Sequence, residues 1–524
     1  MSVSTTEPRE PEASAGSMSR KQVLEAMSGL MMGMFVAILA STVVANALPR
    51  IVSELGGSQA SYTWVVTTEL LAMTATVPLW GKLSDLYNKK LLIQLSLGLF
   101  VVGSLVAGFA GNIELLIGSR VAQGIGAGGL TALAQVIMAA IVSPRELGKY
   151  SGIFGAVFAV GTIAGPLIGG VMVDTSWLGW RWCFFLGVPF AIAAILLLQR
   201  TLNLPTIRRD VKVDYLGAFL IMAGVSTLLV WSSLAGHQFA WGSWWTVGLV
   251  TTGVVILAIA VYVESKVAEP ILPLTLFRSR TITLTTLASF LVGVAMFGGT
   301  VFLSQYFQLS LGKSPTVAGL LSLPMIFGIL VSSTVSGQLI SRTGKWKSHL
   351  LLGSALMTAG LALLGTLDSK TNLVVLGAFM VVLGVGVGML MQNLVLVAQN
   401  DVDAHDLGTA TSTLSFFRSL GGSIGVSALG AVLATRVTAL ITDGLGPLPG
   451  GGEGGAVPNI ATLPEPVATV VRDAYGEATS ELFLISAPIA LLVVVAVAFL
   501  KHKPLKTQSG NERLAEETAV SAAS

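Results

Sequence analysis

Charge is scarce in this chain. Asp, Glu, Lys and Arg make up 11% of its 524 residues, where soluble proteins carry about 25%. With 53% hydrophobic residues and a mean hydropathy of +0.80, that shortage excludes a solvated globular surface and points to an all-α integral membrane protein. A single cysteine, Cys183, excludes an intramolecular disulfide. The four histidines, His237, His349, His405 and His502, lack ligand spacing, so no metal site and no cofactor is expected. A cleaved leader is not expected either. The polar first 20 residues, with Glu7, Glu10 and Glu12, precede an apolar run too long for a signal-peptide core of about 7 to 15 residues.

What the chain does have is apolar runs of membrane-crossing length, which takes about 20 helical residues. Fourteen are expected, near 23–48, 60–81, 91–111, 114–142, 150–173, 181–200, 214–235, 243–263, 281–307, 315–340, 348–367, 372–398, 409–434 and 480–500. The 59 glycines suit close helix packing where lipid provides no hydrophobic drive for association. Most Lys and Arg fall in alternate connections that share a side with both termini, among them Lys82, Lys89, Lys90, Arg145, Lys149, Arg342 and Lys345. The positive-inside rule then places both termini in the cytoplasm. The net charge of +3 reads as topology, with the bilayer as partner and no nucleic acid. The one long outer connection, 435–479, starts Gly/Pro-rich, and its Pro464–Leu482 stretch can form a short amphipathic helix. The segment 1–22 reads as an N-terminal tail and 501–524 as a C-terminal one, disordered after Lys503.

Two of the charged connections echo each other. Gly81–Leu92 reads GKLSDLYNKKLL and Gly337–Lys347 reads GQLISRTGKWK, which aligns Gly81 with Gly337, Asn88 with Gly344 and Lys89 with Lys345. A turn repeated 256 residues on implies duplicated, parallel halves. Asn88 stands where a left-handed turn is easiest for Gly or Asn. Asp85, beside Lys89 and Lys90, is placed to complement the dipole of the following helix, or to pair with a basic residue of the other half as a latch.

GKLSDLYNKK resembles the signature loop of the major facilitator superfamily, and the chain as a whole resembles its fourteen-span drug:proton antiporter branch. RVAQGIGAGG (Arg120–Gly129) is similar to the family's intramembrane arginine motif, and GTIAGPLIGG (Gly161–Gly170) to the motif of its exporters. WRWCFFLGVP (Trp180–Pro189) and FFRSLGGSIG (Phe416–Gly425) look like further landmarks of the branch. The resemblance implies two six-helix bundles, 23–200 and 266–500, with two inserted helices in 201–265. It also implies a secondary active exporter that uses the proton gradient to expel amphipathic drugs or toxic compounds by alternating access, as a monomer in a bacterial inner membrane. Gly161, Gly165, Gly169 and Gly170 give the fifth span a smooth face, and Pro166 kinks it, so that at the interface between the halves it can seal the outer side.

Arg120 lies about seven residues, roughly 10 Å, below the outer end of its span, where an unpaired guanidinium is strongly disfavoured. Many relatives carry a first-span carboxylate in a pattern like LDxTVVNxALP. Here the stretch is LASTVVANALP, with Ala40 in the acid's place. Glu69, in the second span at similar depth, is the replacement candidate. It is a proton carrier gated by Arg120, an acid facing a wet cavity, or a substrate-binding acid. Arg418 has no acid within the later spans; it reaches Asp401, Asp403 or Asp406, or supports the packing face of Gly421, Gly422 and Gly425, the role favoured here.

Asn46, Trp64, Gln123, Gln135, Gln305, Tyr306, Gln392 and Asn393 are the polar and aromatic candidates for a cavity that suits amphipathic compounds. An ATP-driven pump is excluded, because LGKSP at Leu311 lacks the earlier glycine of a phosphate loop, position 307 being Phe. Neither a catalytic constellation nor a nucleophile elbow is present, so no enzyme is expected. A dedicated exporter of an endogenous metabolite or lipid is the alternative function, and a non-transporting membrane sensor a remote one.

Overall fold

In the computed structural model the chain is helical, with no strand among the described residues, which are 20–56, 59–175, 178–202, 214–235, 239–267, 269–313, 315–368, 370–445 and 464–523. The helices of the first half are α1 (Arg20–Glu54), α2 (Gln59–Leu86), α3 (Lys89–Gly108), α4 (Ile113–Ile141), α5 (Pro144–Asp174), the short α6 (Trp182–Phe185) and α7 (Gly187–Thr201). Next come α8 (Tyr215–Leu234) and α9 (Trp244–Glu264). The second half holds α10 (Arg280–Gln305), α11 (Pro315–Leu321), α12 (Leu323–Thr343), α13 (Trp346–Leu364), α14 (Leu373–Asp401), α15 (Leu407–Leu445) and α16 (Glu465–Ala498), and α17 (Gly510–Ala523) follows.

Helix starts follow local chemistry. Asn88, Asn112, Asp214, Ser243, Ser279 and Asn372 each accept a backbone N–H of the first turn, satisfying donors that the helix itself leaves open. Among the described residues twelve helical segments are long and apolar enough to cross a membrane. A count of fourteen needs α2 and α5 as well, which at 28 and 31 residues are longer than the roughly 20 residues required.

Of three clusters of buried side chains among the described residues, the two larger ones divide the chain. One joins α1, α3, α4 and α7 and takes in Ala218, Ile221, Val225 and Leu229 of α8 with Ala260 of α9. The other joins α10 with α12 to α16. The α8–α9 hairpin therefore packs mainly on the first half, with α15 of the second half also against α8. Along α9 the buried residues are Gly253, Ala260 and Glu264, whereas Trp244, Trp245, Val254 and Tyr262 point outward, as on a helix at the lipid boundary.

Residues 501–523 depart from the disorder expected after Lys503. Asn400 exchanges hydrogen bonds with the backbone of Pro504 and Lys506 (3.1 and 2.7 Å), Trp346 Nε1 donates to the Lys503 carbonyl (2.8 Å), and Arg513 Nη2 donates to the Val402 carbonyl (2.8 Å). The Arg145 amide donates to the Lys506 carbonyl (3.3 Å), so the segment touches both halves. The face it covers is called the tail face below. The long connection also differs from expectation: α15 runs to Leu445, and Glu465–Ala498 is one 34-residue helix rather than a short amphipathic one followed by a span. Its Gly/Pro-rich part, 446–463, lies outside the described residues, as does the N-terminal tail up to residue 19.

Candidate functional site

Glu69 on α2 and Arg120 on α4 meet inside the first half, 2% and 1% exposed. Arg120 Nη2 donates to Glu69 Oε2, Nη1 to Gln123 Oε1 (2.9 Å) and Nε to the Val65 carbonyl (3.2 Å), with the Phe184 ring centred 5.8 Å from the guanidinium carbon. The other Glu69 oxygen, Oε1, accepts from Ser41 Oγ at 3.4 Å. The side chain from α1 is thus the hydroxyl of Ser41, beside Ala40, a contact with no signal in the sequence reading. The backbones approach closely because Gly124 has no side chain: a Cβ there would lie 2.4 Å from the Glu69 carbonyl oxygen.

Around Asp85 the partner is not the basic residue expected of a latch. Asp85 Oδ1 accepts the Gly408 amide (2.8 Å), and Oδ2 accepts the Thr409 amide (2.8 Å) and hydroxyl (2.7 Å). These amides belong to the first turn of α15, an N-terminus whose free N–H groups and positive dipole end suit a carboxylate. Asp85 lies beyond the expected end of its span at Gly81. Burial pushes its carboxyl up to about 6, against the pull of Lys89 and of the Thr409 and Gly408 donors.

Gly81 is a residue of close approach: a Cβ would lie 1.9 Å from Ser412 Oγ and 2.7 Å from the Gly408 carbonyl. The second half mirrors this with α12 on α5, where a Cβ on Gly148 would lie 2.3 Å from the Gly337 carbonyl. The two turns differ in backbone. Gly344 is left-handed (φ 70°), whereas Asn88 is extended (φ −62°, ψ 112°) and caps α3 through Lys90 and Leu91 N–H, which corrects the left-handed turn expected at Asn88. Lys90 Nζ donates to the Gln199 carbonyl (2.7 Å), and Lys82 Nζ pairs with Glu269 Oε2 (2.7 Å). Among the described residues the halves meet along this face, where Gly152 and Gly155 of α5 also pack on Thr334 and Ser333 of α12.

The glycine face of α5 packs on α1 within its own half, while α5 also lies against α12 of the other half. A Cβ on Gly161, Gly165 or Gly169 would meet Ile38, Thr42 or Val43 at 2.8, 1.9 and 2.4 Å, and Thr42 Oγ1 donates to the Gly161 carbonyl (3.1 Å). Pro166 and Gly170 belong to the same continuous helix; their surroundings lie outside the described residues.

Of the cavity candidates, Gln392 and Gln135 line a small cavity between the halves, with Met138, Leu147, Phe154 and Gln399. Gln123 is instead committed to Arg120 and, through Nε2, to Ser104 Oγ (2.8 Å). Tyr306 donates its hydroxyl to the Asp368 carbonyl (2.6 Å), and Asn393 Nδ2 donates to Ser336 Oγ (3.1 Å) and the Met389 carbonyl (2.7 Å). Each of these contacts lies within one half, and the three side chains are buried. Trp64 and Gln305 are half-buried, and the Asn46 side chain lies outside the described residues. Arg418 reaches none of the expected acids: Nη1 donates to the Met391 carbonyl (3.4 Å), while Asp401 pairs with Lys503 and accepts from Ser279 (2.5 Å).

A family model described as the Major Facilitator Superfamily matches residues 30–426. The chain belongs to the major facilitator superfamily. An uncharacterised MFS-type transporter of Mycobacterium tuberculosis strain H37Rv is 37% identical over 487 residues, covering 91% of this chain and 69% of that protein. The multidrug transporter protein MdtP of Bacillus subtilis is 35% identical over 432 residues (82% and 79%), and Multidrug resistance protein 3 of the same organism 30% identical over 491 (91% and 95%). The fold is also that of the proton:xylose symporter XylE (TM-score 0.62, 12% identity, 95% and 100% covered) and of the human organic anion transporter MFSD10 (TM-score 0.60, 15% identity, 89% and 99% covered). The chain is thus a multi-pass membrane transporter of the superfamily, with multidrug and efflux proteins among its relatives.

Proposed function

We propose that the protein is a proton-coupled exporter of amphipathic drugs or other toxic compounds, working by alternating access in a bacterial inner membrane. The observation that carries this reading is the buried pair of Glu69 and Arg120, which offers a titratable acid where the usual first-span carboxylate is replaced by Ala40. Intramembrane acids and bases are costly and mark ion or substrate paths. When the pair separates, Glu69 loses the charge that keeps it ionised and takes up a proton; when the pair re-forms, the proton leaves. The multidrug relatives support export and a broad substrate class.

In this reading all fourteen long helices cross the membrane, α2 and α5 included. Residues 23–200 and 266–500 form two bundles with an inserted hairpin in 201–265, and the tail face with both termini is cytoplasmic. The latch of Asp85 on the first turn of α15 holds that face shut while the site is open to the outside. Substrate leaves from a cavity between the bundles, with Gln135 and Gln392 as polar handles in an apolar lining.

The test is transport in proteoliposomes with an imposed pH gradient, across a panel of dyes and lipids. Gradient-dependent flux of at least one dye is expected, and Glu69→Gln is expected to abolish it while substrate still binds. Undiminished gradient-driven flux in that variant would sink the coupling role, and no gradient-dependent flux of any compound would sink antiport.

A further inference from the structure

The transport reading gives the α8–α9 hairpin no task, yet its tail-face end is where carboxylates gather. Asp214 is 8% exposed and Glu264 4%. Asp214 Oδ1 accepts the Gly217 amide (2.8 Å) and so caps α8, while Glu264 Oε2 accepts the Leu272 amide (3.0 Å) and pins the chain as it leaves α9. The second oxygen of each, Asp214 Oδ2 and Glu264 Oε1, is buried with no hydrogen-bond partner. Both aim at one spot: a Cβ on Gly217 would lie 2.3 Å from the first and 2.4 Å from the second. The absence of a side chain at Gly217 leaves room for two carboxylate oxygens to converge over it.

Among the described residues the charges around them do not cancel. From α2, Lys82 bonds to Glu269 at 2.7 Å and also acts on Glu264. Lys266 of α9 lies over the Tyr262 ring, and Arg418 of α15, which also packs on α8, donates to the Met391 carbonyl. Among the described residues the three acids Asp214, Glu264 and Glu269 therefore share one base, Lys82. Holding every acid ionised out of water costs several kcal/mol per uncompensated charge, and two carboxylates sharing a site do not both ionise readily.

We infer that Asp214 and Glu264 form a binding site for one proton, held between Asp214 Oδ2 and Glu264 Oε1. The proton is bonded to one oxygen and donated to the other, giving both orphaned atoms a partner and removing one negative charge. A metal ion fits less well, because among the described residues only these two oxygens are free there, where a hard cation takes about six. The bound proton cross-links the start of α8 to the end of α9. The site stands whether or not transport is proton-driven, since it rests on neither Glu69 nor Arg120.

The test is infrared spectroscopy of the full chain in lipid nanodiscs at neutral pH, following the protonated-carboxyl C=O stretch that shifts in D2O. Wild type is expected to show one carboxyl equivalent of signal that is absent from both Glu264→Gln and Asp214→Asn, each checked for retention of its helical amide band. If one variant fails to fold, the other decides. An unchanged carboxyl signal in a folded variant overturns the assignment. So does a wild-type signal that grows when Na+ and K+ are removed at constant pH, which would place a metal ion in the site.

Discussion

Removing one member of the Glu69–Arg120 pair leaves its partner charged and without compensation in a site closed to water. Such a loss costs about 3–5 kcal/mol, whereas replacing both members with apolar residues is often neutral. Arg120→Leu alone is therefore expected to lower the unfolding midpoint of the detergent-purified protein steeply, and the double variant Glu69→Leu/Arg120→Leu to recover most of the loss. A double variant as unstable as the sum of the singles would mean that the pair is not the source of the penalty. The pairing was legible in the sequence because a deep arginine requires an acid, and in the first half Glu69 lies at matching depth. The Ser41 hydroxyl was not legible, since a serine next to Ala40 bonds a helix carbonyl as readily as a neighbouring carboxylate, and here it does both.

Between elements, the contact of α2 with α15 rests on Gly81 lying against Ser412 and Gly408. Gly81→Ala drives a methyl into that contact, so it is expected to part the two helices on the tail face and speed cysteine labelling there. Gly98→Ala, where nothing lies within 4 Å, is the control and is expected to match wild type. The labelling is clean because the native Cys183 is buried. Deleting 507–524 removes the hydrogen bond from Arg513 to the Val402 carbonyl and the packing of Gly510 against Leu407 and Ala139, and is expected to raise the labelling rate in the same assay. An unchanged rate would show that the tail does not hold the face shut. The order of that tail was hidden in the sequence: 501–523 is polar, and its anchors are largely backbone carbonyls and amides, which carry no sequence signature. The charged loop itself was plain from its composition and its echo at Gly337, but the partner of Asp85 was not, because the first-turn amides of α15 exist only once that helix has formed.

At the scale of the whole molecule, the two halves are held by groups that an opening motion would return to water. In the closed arrangement burial places the Asp85 carboxyl at about 6, above its ordinary value of 3.8. Opening the face rehydrates it and lets it fall toward that value. The closed form thus binds the proton more tightly, and linkage fixes the sign: closure gains as pH falls from about 6 toward 4 and is independent of this group above that window. Distances between labels on α2 and α15 are expected to show the closed population rising across that interval. Asp85→Ala removes the acceptor of three donors, a change of about 1–3 kcal/mol and so roughly 5- to 150-fold in the closed-to-open ratio. It is expected to shift the distances toward the open form above pH 6 and to flatten the pH dependence. Closure that instead increases with rising pH, or a variant that keeps the wild-type profile, would remove Asp85 from the latch and leave the helix contacts at Gly81 and Gly148 to hold the halves together.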